Sequence, residues 1–215
     1  VAKDGQYVCS GMTGVGDEIK IRTMIDRGYP DYNYPNQLKS LRKSYPNLPE
    51  VPAMGRGIVN YWKFLDYHVA NSGMKVEGLK AGRDDQIVLV HNRKKYPSFR
   101  VVNVKSNGTI WTGQGQATFE HFVPYNDSVE IGENPLSNAI RIDYGDFRYY
   151  TGGDCPGVVD LGQPKWNDVG TAVAKAVGEV DVATLDHHGN RDAHNEFNVK
   201  TLRPRVWIGQ SWSAD

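Results

Sequence analysis

A regular alternation of apolar and polar positions marks two neighbouring strands in the second half of the chain. The alternation covers residues 139–144 and residues 147–151, which is the period of half-buried strands. Gly145 and Asp146 lie between the two segments, and such a pair favours a tight two-residue turn. The pattern therefore predicts an antiparallel hairpin over residues 139–151.

Helical spacing follows the predicted hairpin. Val169, Val173 and Val177 recur on one helical face, and Gly178 comes directly after them, as glycine does at helix C-termini. A buried strand, a short helix and a last strand are then predicted at residues 180–185, 196–202 and 205–209. Alternation of strands and helices along the chain is typical of a layered α/β fold.

The first 125 residues carry more mixed patterns. Residues 19–26 alternate like a half-buried strand, and residues 56–72 carry one apolar helical stripe that ends at Gly73. Four short strands are predicted after that helix, at residues 74–79, 85–92, 99–106 and 108–113. Asn107-Gly108 favours a two-residue hairpin turn. We interpret residues 1–215 as a single domain with a β-rich insertion at about 74–125.

Composition narrows the classes of partner. The 25 lysines and arginines balance the 25 aspartates and glutamates, so there is no electrostatic basis for binding nucleic acid or an anionic membrane. No apolar run approaches the ~20 residues that a bilayer-spanning helix needs. The two cysteines allow one disulfide at most and are compatible with either side of a bacterial membrane. The expected substrate is a small molecule or ester of unknown identity.

Candidate metal ligands lie at the ends of two predicted strands. Asp154 follows a strand and two glycines, and His187 and His188 follow the next strand and precede Gly189. Carboxylate and imidazole groups held at the tips of neighbouring strands suit a zinc-type ion. The alternative is a hairpin end with a capping aspartate, and two surface histidines before a turn.

Two motifs around these residues resemble the metallo-β-lactamase superfamily, in particular its competence-protein-type and phosphorylcholine-esterase-like hydrolases. The resemblance extends over residues 136–212. It rests on a strand pair followed, one helix later, by a histidine pair: Tyr144-Gly145-Asp146-Phe147-Arg148-Tyr149-Tyr150-Thr151-Gly152-Gly153-Asp154, then Leu185-Asp186-His187-His188-Gly189.

The resemblance implies an αββα sandwich, in which two β-sheets face each other with helices outside, and a site with two metal ions, usually zinc. Asp154 would bridge the two metals, and His188 would bind the second. His187 would lie behind the metal or touch the substrate as a catalytic residue. The expected reaction is hydrolysis of an ester or phosphodiester-type substrate. Further substrate contacts are expected from Arg191, His194 and Asn138.

One part of the family pattern is missing. The family's main ligand motif, HxHxDH, does not occur among the six histidines. Zinc sites use at least three protein ligands, and Asp154 with one histidine supplies two. Both ends of the sequence resemble cut ends, so we expect the missing motif upstream of Val1 in a longer protein. The 215-residue chain itself is expected to bind metal weakly or not at all and to be inactive.

Three alternatives remain open at this stage. The chain could be a binding or scaffold module that keeps the fold without metals. It could be an interaction module built on the aromatic loop at residues 26–32 and the insertion at 74–125. It could also be a calcineurin-type phosphoesterase, because Gly153-Asp154 and the segment from Gly189 to Asp192 are spaced like that family's motifs, although Arg191 stands where its essential histidine would be.

Overall fold

A computed structural model describes residues 5–35, 40–44, 53–122, 131–158 and 162–210. The chain divides into two compact units, Val1–Gly78 and Leu79–Asp215. That residues 1–215 form a single domain stays a prediction. No helix in the described part of the chain is long and apolar enough to cross a membrane. Cys9 and Cys155 are both free thiols.

The first unit is built around one long helix. Its elements in chain order are α1 (Met12–Glu18), β1 (Thr23–Asp26), α2 (Leu41–Ser44), α3 (Ala53–Ser72) and β2 (Lys75–Gly78). β1 and β2 pair in parallel. The apolar stripe predicted for α3 is confirmed in its middle, where Trp62 and Leu65 are buried, whereas Val69, its last member, is 37% exposed. Tyr32, from the aromatic loop, packs against the Trp62 ring.

The second unit contains a seven-stranded mixed sheet. Its elements are β3 (Phe99–Ser106), β4 (Thr109–Trp111), β5 (Thr118–Glu120), β6 (Ala139–Tyr144), β7 (Phe147–Thr151), α4 (Val169–Val177), β8 (Val182–Thr184), α5 (Glu196–Leu202) and β9 (Val206–Ile208). The strand order is β5-β4-β3-β6-β7-β8-β9. β7, β8 and β9 run parallel, and the other pairs are antiparallel. The predicted α/β class is confirmed.

Both predicted hairpins form. β6 and β7 pair with Tyr144 opposite Phe147, so Gly145 and Asp146 make the turn. β3 and β4 pair with Ser106 opposite Thr109, and Asn107 takes the left-handed conformation that such a turn needs (φ 54°).

One local prediction was wrong. Residues 85–92 form bends instead of a strand, and Val90 is 78% exposed. The Gln86 side chain accepts hydrogen bonds from Lys80 N and Asn103 Nδ2, which ties this segment down as a loop.

The two faces of the seven-stranded sheet differ. Helix α4 covers one face, where Arg141 donates to the carbonyl of Val177 at 2.8 Å. Neighbouring positions on the strands point to the opposite face, and most of the side chains on that face are apolar. The strand registers place ten apolar or aromatic side chains on that face, Phe99, Val101, Ile140, Ile142, Tyr144, Phe147, Tyr149, Val182, Val206 and Ile208, together with the polar Asn103, Thr151 and Thr184. Four of them are 41–51% exposed: Tyr144, Phe147, Val206 and Ile208.

Candidate functional site

Two loops meet at one edge of the sheet, where the parallel strands β7 and β8 end. The first loop carries Asp154 and the second carries His187 and His188. A backbone hydrogen bond joins the loops, from His187 N to Gly153 O at 3.0 Å. The proximity expected from the strand ends is therefore present.

Asp154 and His188 face each other across a short gap. The distance from His188 Nε2 to Asp154 Oδ1 is 3.6 Å, and both side chains are partly exposed. On the other side of the ring, His188 Nδ1 lies 2.7 Å from the carbonyl oxygen of Gln210. A carbonyl oxygen only accepts hydrogen bonds, so Nδ1 carries the proton. In the neutral ring, the Nε2 lone pair then points at a carboxylate, an arrangement that a cation between the two atoms would stabilise.

His187 faces a different set of partners. Its Nδ1 lies 2.9 Å from a carboxylate oxygen of Asp192. Its Nε2 lies 3.2 Å from the amide nitrogens of both Asn134 and Asn190. His187 and His188 both have positive φ angles, 45° and 60°. This backbone turns the two imidazoles toward separate partners although they are adjacent in sequence.

A buried carboxyl group lies directly behind the two loops. Asp186 is fully buried, and the hydroxyl of Tyr150 donates to its Oδ2 at 2.9 Å. Its Oδ1 has no partner with hydrogen-bond geometry among the described residues, although the Gly152 amide lies near enough to favour the charged form. Burial is the largest influence and raises the pKa of Asp186 to about 7, with a smaller contribution from the charge of Asp154.

The three predicted substrate contacts lie in different surroundings. Arg191 is exposed next to the site. His194 uses both ring nitrogens inside the protein, accepting from Asp186 N at 3.0 Å and facing Asn198 Oδ1 at 2.7 Å, and burial lowers its pKa. Asn138 lies beside Gly153, and its buried Oδ1 has no hydrogen-bond partner among the described residues. Their roles in binding a substrate stay predictions.

The pair formed by Asp154 and His188 fits part of a metal site. Two ligand atoms on one tetrahedral zinc ion are about 3.4 Å apart, given bonds of about 2.1 Å, which is close to the observed 3.6 Å. The Gln210 carbonyl holds the far side of the His188 ring, as partners of metal-bound histidines commonly do. The described residues contain no group of three or more His, Cys, Asp or Glu side chains that could hold a metal ion. These two residues would thus be some of the ligands and not a full set.

Sequence reasoning missed three residues around His187. The first is Asp192, which does not cap the following helix, because Asn195 caps α5 by accepting from Asn198 N. Asp192 lies five positions after His187 in a turn-rich segment, which is a weak signal for their contact. Asn190 is in the same turn. Asn134 is 53 positions away from His187, and only the folded sheet brings them together.

Comparison with protein-family models gives no match, and comparison with curated proteins gives none either.

Proposed function

We propose that the chain is part of a metal-dependent hydrolase with the metallo-β-lactamase fold, acting on an ester or phosphodiester-type substrate. The observation that carries this proposal is the gap of 3.6 Å between His188 Nε2 and Asp154 Oδ1, with the His188 proton held on the opposite nitrogen by Gln210. Both atoms that face the gap are metal ligands by type and by spacing. The remaining ligands would come from outside the described residues.

The partly exposed apolar side chains on the sheet face opposite α4 support the finer assignment to an αββα sandwich. In such a fold, a second sheet packs on the face that helices leave free. The face opposite α4 carries large apolar side chains on β6, β7 and β9, and Phe147 and Val206 are 46% and 51% exposed. Contiguous exposed apolar surface is typical of a face that another layer of protein covers.

The residues of this chain would then have different roles in the reaction. A bound zinc ion lowers the pKa of a water ligand to about 7 and stabilises negative charge on the substrate. Asp154 and His188 would hold the ion, His187 would face the reacting oxygen, and the exposed Arg191 would attract an anionic substrate. Asp186 and Tyr150 lie behind the loops and support them from inside the protein.

Zinc titration of the chain, followed by calorimetry, tests this assignment. We expect weak binding that is lost in both Asp154→Asn and His188→Gln, because each substitution removes one of two ligands. Asp146→Asn and His91→Gln are the matched controls, since Asp146 lies in the exposed β6–β7 turn and His91 in an exposed loop, and neither should change the affinity.

Two results would contradict the assignment. Zinc binding that survives both ligand substitutions would show that the metal binds elsewhere. No binding at all by this chain would match an incomplete site, but no binding even at millimolar zinc by a longer protein that contains the missing motif would favour the alternative of a non-catalytic scaffold module. A stoichiometric zinc ion that resists dialysis would instead show that the described pair is supplemented by further ligands of this chain, against the expectation of an incomplete site.

A further inference from the structure

His187 is held by a carboxylate whose role the sequence did not indicate. Asp192 Oδ1 lies 2.9 Å from His187 Nδ1, and the two side chains are 28% and 20% exposed. An ionised carboxylate only accepts hydrogen bonds, so this contact requires the proton on Nδ1. The partial burial protects the contact from competing water.

The other ring nitrogen faces a matching environment. The amide nitrogens of Asn134 and Asn190 both lie 3.2 Å from Nε2, and amide nitrogens donate hydrogen bonds. Two donors around Nε2 are compatible with a lone pair there and unfavourable beside a second N–H group. Both sides of the ring therefore select the same tautomer, with the proton on Nδ1 and the lone pair on Nε2.

The amides also provide more donors than the ring can use. A single lone pair cannot satisfy two amide N–H groups fully, so donor capacity is left over at this point. An oxygen atom with negative charge, such as an ester carbonyl or phosphoryl oxygen, is the ligand that would take it. The arrangement places a proton acceptor and two oxygen-binding donors within a few ångströms of each other.

We propose that Asp192 is the positioning residue that fixes His187 as a base with its lone pair on Nε2, in a subsite that Asn134 and Asn190 complete for one substrate oxygen. This inference rests on the proposed hydrolase function. In the reaction, the attacking water loses a proton to Nε2, and its O–H electron pair forms the new bond to carbon or phosphorus. The leaving oxygen departs with the electrons of the broken ester bond and takes the proton back from Nε2.

The tautomer can be measured directly by long-range ¹H–¹⁵N correlation of the histidine rings, with chelator present and at about pH 8, where histidine is mostly neutral. His187→Gln identifies the His187 signals. We expect the wild-type ring to show the protonated-nitrogen shift at Nδ1 only. Asp192→Leu removes the acceptor at similar size, so we expect this single-tautomer pattern to be lost. Asp192→Glu should restore it, and Asp146→Asn should leave it unchanged.

Circular dichroism and the backbone amide spectrum show whether each variant is folded. A wild-type His187 protonated on Nε2 would overturn the proposal, as would a folded Asp192→Leu protein with an unchanged Nδ1–H pattern. The measurement contains no metal, so its failure is distinct from failure of the proposed function. Correct tautomers together with zinc binding that survives both Asp154→Asn and His188→Gln would retain the positioning role and contradict the proposed metal site.

Discussion

Replacing Asp186 by asparagine should change how the stability of the protein depends on pH. Burial raises the pKa of this carboxyl group from 3.8 to about 7 in the folded protein. The folded state then binds more protons than the unfolded state between these two values, so unfolding becomes easier as pH rises through that window. Burial destabilises the ionised form of Asp186 relative to the protonated form.

The size of the effect follows from the two pKa values. Each pH unit of difference corresponds to about 1.4 kcal/mol, so the span from 3.8 to about 7 corresponds to ~4 kcal/mol in full. The linkage relation places roughly 2.5 kcal/mol of this loss between about pH 5 and pH 8. Because Asp186 is fully buried, solvent screening does not reduce the figure further.

Urea unfolding followed by tryptophan fluorescence, with chelator present, would measure this. We expect the stability of wild type, relative to Asp186→Asn, to fall by roughly 2.5 kcal/mol from about pH 5 to about pH 8. Contributions from His121 and His194 occur in both proteins and cancel in the difference. Asp146→Asn, a substitution in an exposed turn, should run parallel to wild type. Parallel curves for wild type and Asp186→Asn would refute the reasoning.

Two further substitutions test the packing around the site by the same unfolding assay. Gly152→Ala should lower the free energy of unfolding by about 2 kcal/mol, because the new methyl group would overlap the Tyr150 hydroxyl and lie 2.6 Å from Asp186 Oδ1. The control Gly132→Ala should be nearly neutral, because its methyl group meets no atom within 4 Å. Equal losses of stability in the two variants would contradict this explanation. Asn195→Ala should cost about 2 kcal/mol, because Asn195 caps α5 and also donates to Gly157 O at 2.6 Å. Asn71→Ala, which loses only a contact within its own helix, should cost far less, and a neutral Asn195→Ala would exclude the capping role.

The sequence predicted those elements whose signals are local. The β6–β7 hairpin was predicted to the residue, since strand alternation and turn chemistry coincide at Gly145-Asp146. A strand was wrongly predicted at residues 85–92, because an apolar run resembles a strand even when no neighbouring strand pairs with it. Whether a run finds a partner depends on the tertiary fold, and sequence periodicity does not contain that information.

Some features of the candidate site were likewise predictable from the sequence, and others were not. Proximity of Asp154 and His188 was predictable, because both follow neighbouring strands that end at one edge of the sheet. The opposite orientations of His187 and His188 were not, because they depend on two successive positive φ angles. The contact between His187 and Asn134 joins residues 53 positions apart in the sequence, so no local sequence pattern predicts it.

The backbone of the histidine pair has a consequence for selection. A left-handed conformation costs a residue other than glycine roughly 1–2 kcal/mol, and His187 and His188 adopt it in succession. Glycine or asparagine would adopt it more easily. A library of variants screened only for heat resistance should therefore lose both histidines, whereas a screen for turnover should keep them. Selection for stability and selection for catalytic activity would therefore favour different residues at these two positions.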